Sequence, residues 1–282
     1  MIRDITLGQF IPGNSPLHRM DPRTKIILTI LYMIGLFVVN NLPGYFLAGI
    51  LLFFAIKVSE IPFTFILKSI KPLYIFVVFT AILNIFMTEG TYLVNWGWFH
   101  ISYEGIYTTV IMSLRLIYLV AGSSLLTYTT SPIVLTDGIE TLLRPLEKLR
   151  FPAHELAMMM TIALRFIPTI TEETDKIIKA QSARGADFDT GGLIKKAKAM
   201  IPLLIPLFVS SFRRADELAL AMECRGYHGG EGRTKLKQLK YTKTDAAGYV
   251  IFLICAAVCI FVGTVDFSPV YSALFKMYGA LI

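Results

Sequence analysis

Charge is scarce in this chain. Only 17% of its 282 residues are charged and 55% are hydrophobic, whereas roughly a quarter of a soluble domain is charged. Much of the surface therefore meets lipid rather than water, and chain length is no guide to the number of domains. Cysteine is equally sparse. Cys224, Cys255 and Cys259 are the only three, and an odd count argues against a disulfide framework. Cys255 and Cys259 share one face of an apolar helix but have no His or carboxylate beside them, so a closed four-ligand zinc site is excluded and a packing role is expected. The four histidines, His18, His100, His154 and His228, share no ligand spacing. Glu172-Glu173 and Asp266 have no carboxylate partner at a spacing for metal or acid–base work. There is no Walker-type phosphate loop, which excludes ATP binding by that route. No apolar run precedes Ile26, so no signal peptide is expected.

The charge that is present is mostly basic and unevenly placed. Of 27 Lys and Arg, four lie in residues 1–25, three between Lys57 and Lys71, and eighteen between Arg144 and Lys243. The stretches 40–44 and 88–105 carry none. Basic clusters alternating with apolar spans follow the positive-inside rule rather than a nucleic-acid footprint.

The apolar runs predict an all-α integral membrane protein of about five transmembrane helices, with long amphipathic helices added. The expected spans are Ile26–Val39, Tyr45–Ile56 after a Pro43-Gly44 turn, Leu73–Met87, Ile106–Tyr128 and Ala246–Val265. Tyr92, Trp96, Trp98, Phe99 and Tyr103 mark 88–105 as an external loop at headgroup level. Five crossings with basic segments inside give a cytoplasmic N-terminus and an external C-terminus in a cell-membrane protein. Three regions are expected: 1–130 with four spans, 131–245 along the cytoplasmic face, and 246–282 with the last span and an external tail. Arg115 lies within the fourth span. An intramembrane cation marks either function or an internal structural contact, and with no acid in the other spans the structural contact is expected. Asp21-Pro22-Arg23 reads as a helix start, with Asp21 capping and Pro22 at the first position.

Residues 131–245 hold the most specific signal. Ala183-Arg184-Gly185 and Cys224-Arg225-Gly226 stand 41 residues apart (184 to 225). At that offset the preceding segments stay in helical phase: Ile167, Thr174, Ile178 and Gln181 fall on Phe208, Ala215, Ala219 and Met222. Each unit reads Ile-Pro, amphipathic helix, Arg-Gly, with residues 186–200 expected as a linker and the prolines expected to kink the helices. Phe208, Phe212, Ala215, Ala219 and Met222 form a narrow apolar stripe opposite Arg213, Arg214, Asp216, Glu217 and Glu223. A glycine C-cap with arginine favoured by the macrodipole accounts for one triplet. Two in phase point further, to a two-pronged contact outside the bilayer, because a glycine stop leaves a planar arginine fork exposed at the helix end.

The residues Gly8-Gln9-Phe10-Ile11-Pro12-Gly13-Asn14-Ser15-Pro16-Leu17-His18-Arg19-Met20-Asp21-Pro22-Arg23-Thr24-Lys25 and the paired triplets, with Gln181-Ser182 and Tyr227 around them, resemble the T component of energy-coupling factor transporters. The resemblance covers essentially the whole chain. It departs in Cys224, which stands where alanine is usual, at the triplet position that varies. It implies a non-catalytic subunit of a vitamin or micronutrient importer, with no cofactor of its own because ATP is bound by two cytoplasmic ABC-type ATPase subunits. It further implies a membrane-embedded substrate-binding S component as the other partner. Ala183, Arg184, Gly185, Cys224, Arg225 and Gly226 become the ATPase-docking residues. Met158, Met159, Met160, Phe208, Phe212, Ala215, Ala219 and Met222 become the S-component contact, although ordinary packing also accounts for the methionines. An ABC permease lining its own pathway would need polar groups converging near the midplane, where only Arg115 qualifies. A lipid-metabolising enzyme would need an interfacial carboxylate or histidine cluster, and the sequence offers none.

Overall fold

The computed structural model describes residues 10–88, 90, 92–96, 99–149, 151–186, 192–229 and 238–264. The chain divides into two compact units, one of residues 10–131 and 239–282, the other of residues 1–9 and 132–238.

The first unit is a helical bundle. Its elements are α1 (Pro16–Arg19), α2 (Pro22–Val38), α3 (Leu42–Ser59), α4 (Phe63–Ile70), α5 (Tyr74–Met87), α6 (Tyr103–Thr129) and α10 (Lys243–Thr264). Leu42–Ser59, Phe63–Met87 and Tyr103–Thr129 are each long and apolar enough to cross a membrane. Their outward residues are large and exposed, including Phe46, Phe53, Phe76 and Phe79. Such a surface requires hydrocarbon as its solvent. The third span begins at Phe63 rather than Leu73, because a 3-10 turn at Lys71–Leu73 joins α4 to α5. Pro43-Gly44 makes no turn. Pro43 occupies the first turn of α3, where its missing N–H costs nothing, and the break between α2 and α3 lies at 39–41 instead. Within 88–105, β1 (Tyr92–Trp96) pairs antiparallel with β2 (Phe99–Ser102), and α6 already starts at Tyr103. Ser102 caps α6 by accepting from the Gly105 amide at 3.0 Å.

Two apolar clusters hold this bundle. Leu52, Ile56, Ile61, Ile66, Ala121, Leu125 and Tyr128 form one, with Ile11 and Leu17 packed on it. Leu36, Val39, Tyr45, Ala48, Ile111 and Cys259 form the other. Cys255 and Cys259 are free thiols, half-buried and buried respectively. Burial removes their surface from water, in keeping with the packing role.

The opening motif is a clasp. Ser15 caps α1, and His18 bonds both Ser15 Oγ at 2.7 Å and the Ile11 carbonyl at 3.0 Å. The Ile11 amide donates to Tyr128 O at the end of α6. Asp21 caps α2 as expected, with Pro22 at its first position, and grips Arg23 through two further bonds. The Asp21 amide donates to Asp245 Oδ1 at 2.8 Å, while Asp245 Oδ2 accepts from the Thr242 amide at 2.7 Å. The second bond is the carboxylate half of a capping box at the start of α10, and the Thr242 hydroxyl also donates to Asp245 Oδ2. Buried Lys25 donates to His18 O, Thr129 O and Thr130 Oγ1, so its three ammonium hydrogens are all used.

The second unit contains α7 (Pro132–Leu143), α8 (Ala153–Ala183) and α9 (Leu193–Cys224). α7 packs on α8, and α8 on α9. α9 begins at Leu193, inside the stretch expected as a linker. Leu193–Met200 is rich in Lys and Ala, strong helix formers with no Gly or Pro among them, so the helix propagates. The prolines end neither helix: α8 runs through Pro168 and α9 through Pro202 and Pro206.

Candidate functional site

The two Arg-Gly triplets are built alike, bond for bond. α8 closes with the Ala186 amide on Gln181 O at 3.0 Å and the Gly185 amide on Ser182 O at 3.0 Å. α9 closes with the Tyr227 amide on Met222 O at 3.0 Å and the Gly226 amide on Glu223 O at 2.8 Å. Each is a Schellman stop, with glycine in the left-handed position and arginine at the C-cap. Gly185 has φ +87° and Gly226 φ +73°, a region costly for any residue with a Cβ. A Cβ at either glycine would meet nothing within 4 Å. The glycines are therefore required by backbone conformation, not by crowding.

Ala183, Arg184, Gly185, Cys224, Arg225 and Gly226 are all exposed. Neither guanidinium has a hydrogen-bond or ion-pair partner among the described residues. Two cationic forks are thus held at helix ends with no donor spent on another described residue, an arrangement suited to carboxylates or backbone carbonyls of another protein.

The long helices behind them carry opposite chemistry on two faces. Met200, Ile201, Leu204, Ile205, Phe208, Val209 and Phe212 lie along one side of α9, each at least 45% exposed. Ala215 and Ala219 continue on the exposed surface, whereas Met222 is half-buried. On α8, Met159 and Met160 are exposed and Met158 is half-buried. So the expected contact residues largely form an open apolar surface, with Met158 and Met222 turned partly inward.

Sequence reasoning missed one pair. Glu173 of α8 accepts from Ser210 Oγ at 2.5 Å and pairs with the Arg214 guanidinium of α9, both side chains being about three-quarters buried. The signal was available, since Arg214 is Glu173 displaced by the repeat offset of 41 (173 to 214).

Arg115 is accounted for within its bundle. Its Nε donates to Tyr45 Oη at 2.7 Å and its Nη2 to Asn40 Oδ1 at 3.4 Å, and the guanidinium lies 5.2 Å from the Phe37 ring centroid. Tyr45 in turn donates to Leu36 O at 2.7 Å. The cation is satisfied by hydroxyl, amide and ring faces, which matches the structural contact expected for it. His154 pairs with Glu140 at 3.2 Å, and no group of three or more potential metal ligands occurs among the described residues. His100 has no described side chain, and Asp266 lies outside the described residues.

The cobalt transport protein (CbiQ) family model matches residues 13–236. Over 245 residues the chain is 59% identical to the energy-coupling factor transporter transmembrane protein EcfT of Ruminiclostridium cellulolyticum, covering 87% of this chain and 92% of that protein. It is 55% identical over 256 residues to the protein of that name from Acidaminococcus fermentans, covering 90% and 94%. The Clostridium kluyveri protein of that name is 53% identical over 262 residues, covering 92% and 97%. With its apolar bundle, its clasp and its twin arginine stops, the chain belongs to the family of transmembrane proteins of energy-coupling factor transporters.

Proposed function

We propose that the chain is the non-catalytic coupling subunit of an energy-coupling factor importer for a vitamin or other micronutrient, in the cell membrane. In this reading two ABC-type ATPases in the cytoplasm bind and hydrolyse the ATP, and an S component in the membrane binds the cargo. The charge distribution supports a cytoplasmic N-terminus and an external C-terminus, because the basic residues cluster in segments that share one side.

The observation that carries the proposal is the pair of like Schellman stops, each presenting an exposed arginine with no partner among the described residues. Arg184 and Arg225 each enter a groove on one ATPase, with Ala183, Gly185, Cys224 and Gly226 shaping the two ends. When ATP closes the ATPase pair, the arginines travel with their grooves and the long helices carry the displacement. Phe208, Phe212, Ala215 and Ala219 on α9, with Met158, Met159, Met160 and Met222, contact the S component. Flexible methionines and small residues suit a surface that repacks during the cycle.

The test is co-purification of the ATPases from membranes expressing Arg184→Ala, Arg225→Ala and the double variant, together with uptake. Each single change weakens association or uncouples hydrolysis from uptake, and the double change does more. Normal ATPase recovery and normal uptake in the double variant would end this reading, as would ATP hydrolysis by the purified chain alone.

A further inference from the structure

The stop-bearing helices touch at equivalent points of the repeat. Glu173 and Arg214 are 41 residues apart (173 to 214), the same interval that separates Arg184 from Arg225 (184 to 225). Burial at several other positions follows the same offset. Ile170, Ile177 and Gln181 on α8 are half-buried, and so are their counterparts Ser211, Leu218 and Met222 on α9. Each arginine therefore lies 11 residues beyond its member of the ion pair (173 to 184, 214 to 225). That is an arm of about 16 Å at the helical rise of 1.5 Å per residue.

We infer that the Glu173–Arg214 pair, with Ser210, is the pivot that fixes the register of α8 on α9 and so keeps the two arginine arms equal. This rests on the proposed coupling role. One carboxylate takes both Ser210 and Arg214, which are one turn apart, so it locks α8 to a single turn of α9. A one-turn slip would displace one arginine by about 5.4 Å along its helix relative to the other. Two ATPases closing symmetrically would then be gripped unequally. Apolar packing contributes less to that lock, because between Met200 and Phe212 seven large apolar side chains of α9 are exposed while Leu203 is buried and Leu207 half-buried. Arg214 Nη1 is buried without a partner among the described residues, an arrangement that a helix pair selected only for stability would replace with apolar contact. Specifying register is the best-attested use of a buried ion pair. Glu173 and Arg214 are positioning residues, acting through the distant arginines.

The experiment uses the complete complex in lipid nanodiscs. Spin labels are placed at Lys179 and Leu220, exposed and themselves 41 residues apart (179 to 220), after replacement of the native cysteines. The variants are Glu173→Arg, Arg214→Glu and the two combined. Each single reversal should broaden the label distance distribution and lower uptake roughly tenfold, while the combined reversal restores the narrow distribution and uptake to within about threefold. ATPases should co-purify with all three, because Arg184 and Arg225 are intact. Failure of the combined variant to restore either readout overturns the pivot, as do single variants with unchanged distances and uptake. A parent complex that never retains ATPases overturns the coupling role instead.

Discussion

Replacing Gly226 with alanine isolates what an arginine stop contributes. At φ +73°, with open space around the new Cβ, the substitution meets no neighbour. Its whole cost is that of a Cβ in the left-handed region, about 1–2 kcal/mol. The bonds at stake are Tyr227 N–H to Met222 O and Gly226 N–H to Glu223 O. A penalty of that size raises the open population of the cap about 5- to 30-fold. Amide exchange over residues 222–227, read by mass spectrometry in nanodiscs, should accelerate by that factor. Exchange over residues 181–186 should not change. Gly226→Asn should fall between glycine and alanine, since asparagine tolerates the left-handed region. ATPase recovery should follow the same order, because the arginine is oriented only while the cap is closed. Alanine exchanging like glycine would refute the claim that the stop fixes the arginine. Faster exchange with undiminished ATPase recovery would refute the link from cap to docking.

Three further outcomes follow from the bundle. Asp245→Ala strips partners from the Asp21 and Thr242 amides and should cost about 2–4 kcal/mol, read as a lower melting temperature in detergent. Burial opposes ionisation of Asp245, but hydrogen bonds from Thr242 and the Asp21 amide outweigh it and hold the carboxyl below its ordinary 3.8. That stabilisation is full above pH 3.8 and is lost as pH falls through the lower folded value, so Asp245→Asn should flatten the acid limb of a melting-temperature profile. Arg115→Ala removes the bonds to Tyr45 and Asn40 and should lower stability by about 1–3 kcal/mol while leaving ATPase recovery per folded subunit unchanged.

Much of this was legible in the sequence, because membrane helices and glycine stops are local signals. Apolar runs located three helices long and apolar enough to cross a membrane, the third starting at Phe63 rather than Leu73, and Asp21-Pro22 and both Arg-Gly triplets announced helix ends from their own chemistry. Boundaries failed where local signals conflict. Pro43-Gly44 resembles a turn, yet proline is equally at home in the first turn of α3. The Lys-rich segment 193–200 looks too polar for a membrane-facing helix, but propensity and continuity with the apolar residues after it extend α9 backwards. The Glu173–Arg214 pair was hidden for a different reason: one charge among several on each helix has no pattern until the repeat offset is applied to it.

The seven apolar side chains from Met200 to Phe212 also bear on how the subunit is made. A newly synthesised copy that meets neither a partner nor lipid at this row leaves it open to water, and an open row of this kind recruits chaperones, proteases and other copies of itself. Cellular abundance of the subunit should then be set by the supply of its partners, with surplus copies degraded. Under the proposed coupling role the same stripe would act as an assembly checkpoint, and overproduction of the chain by itself should yield mainly aggregated or proteolysed material.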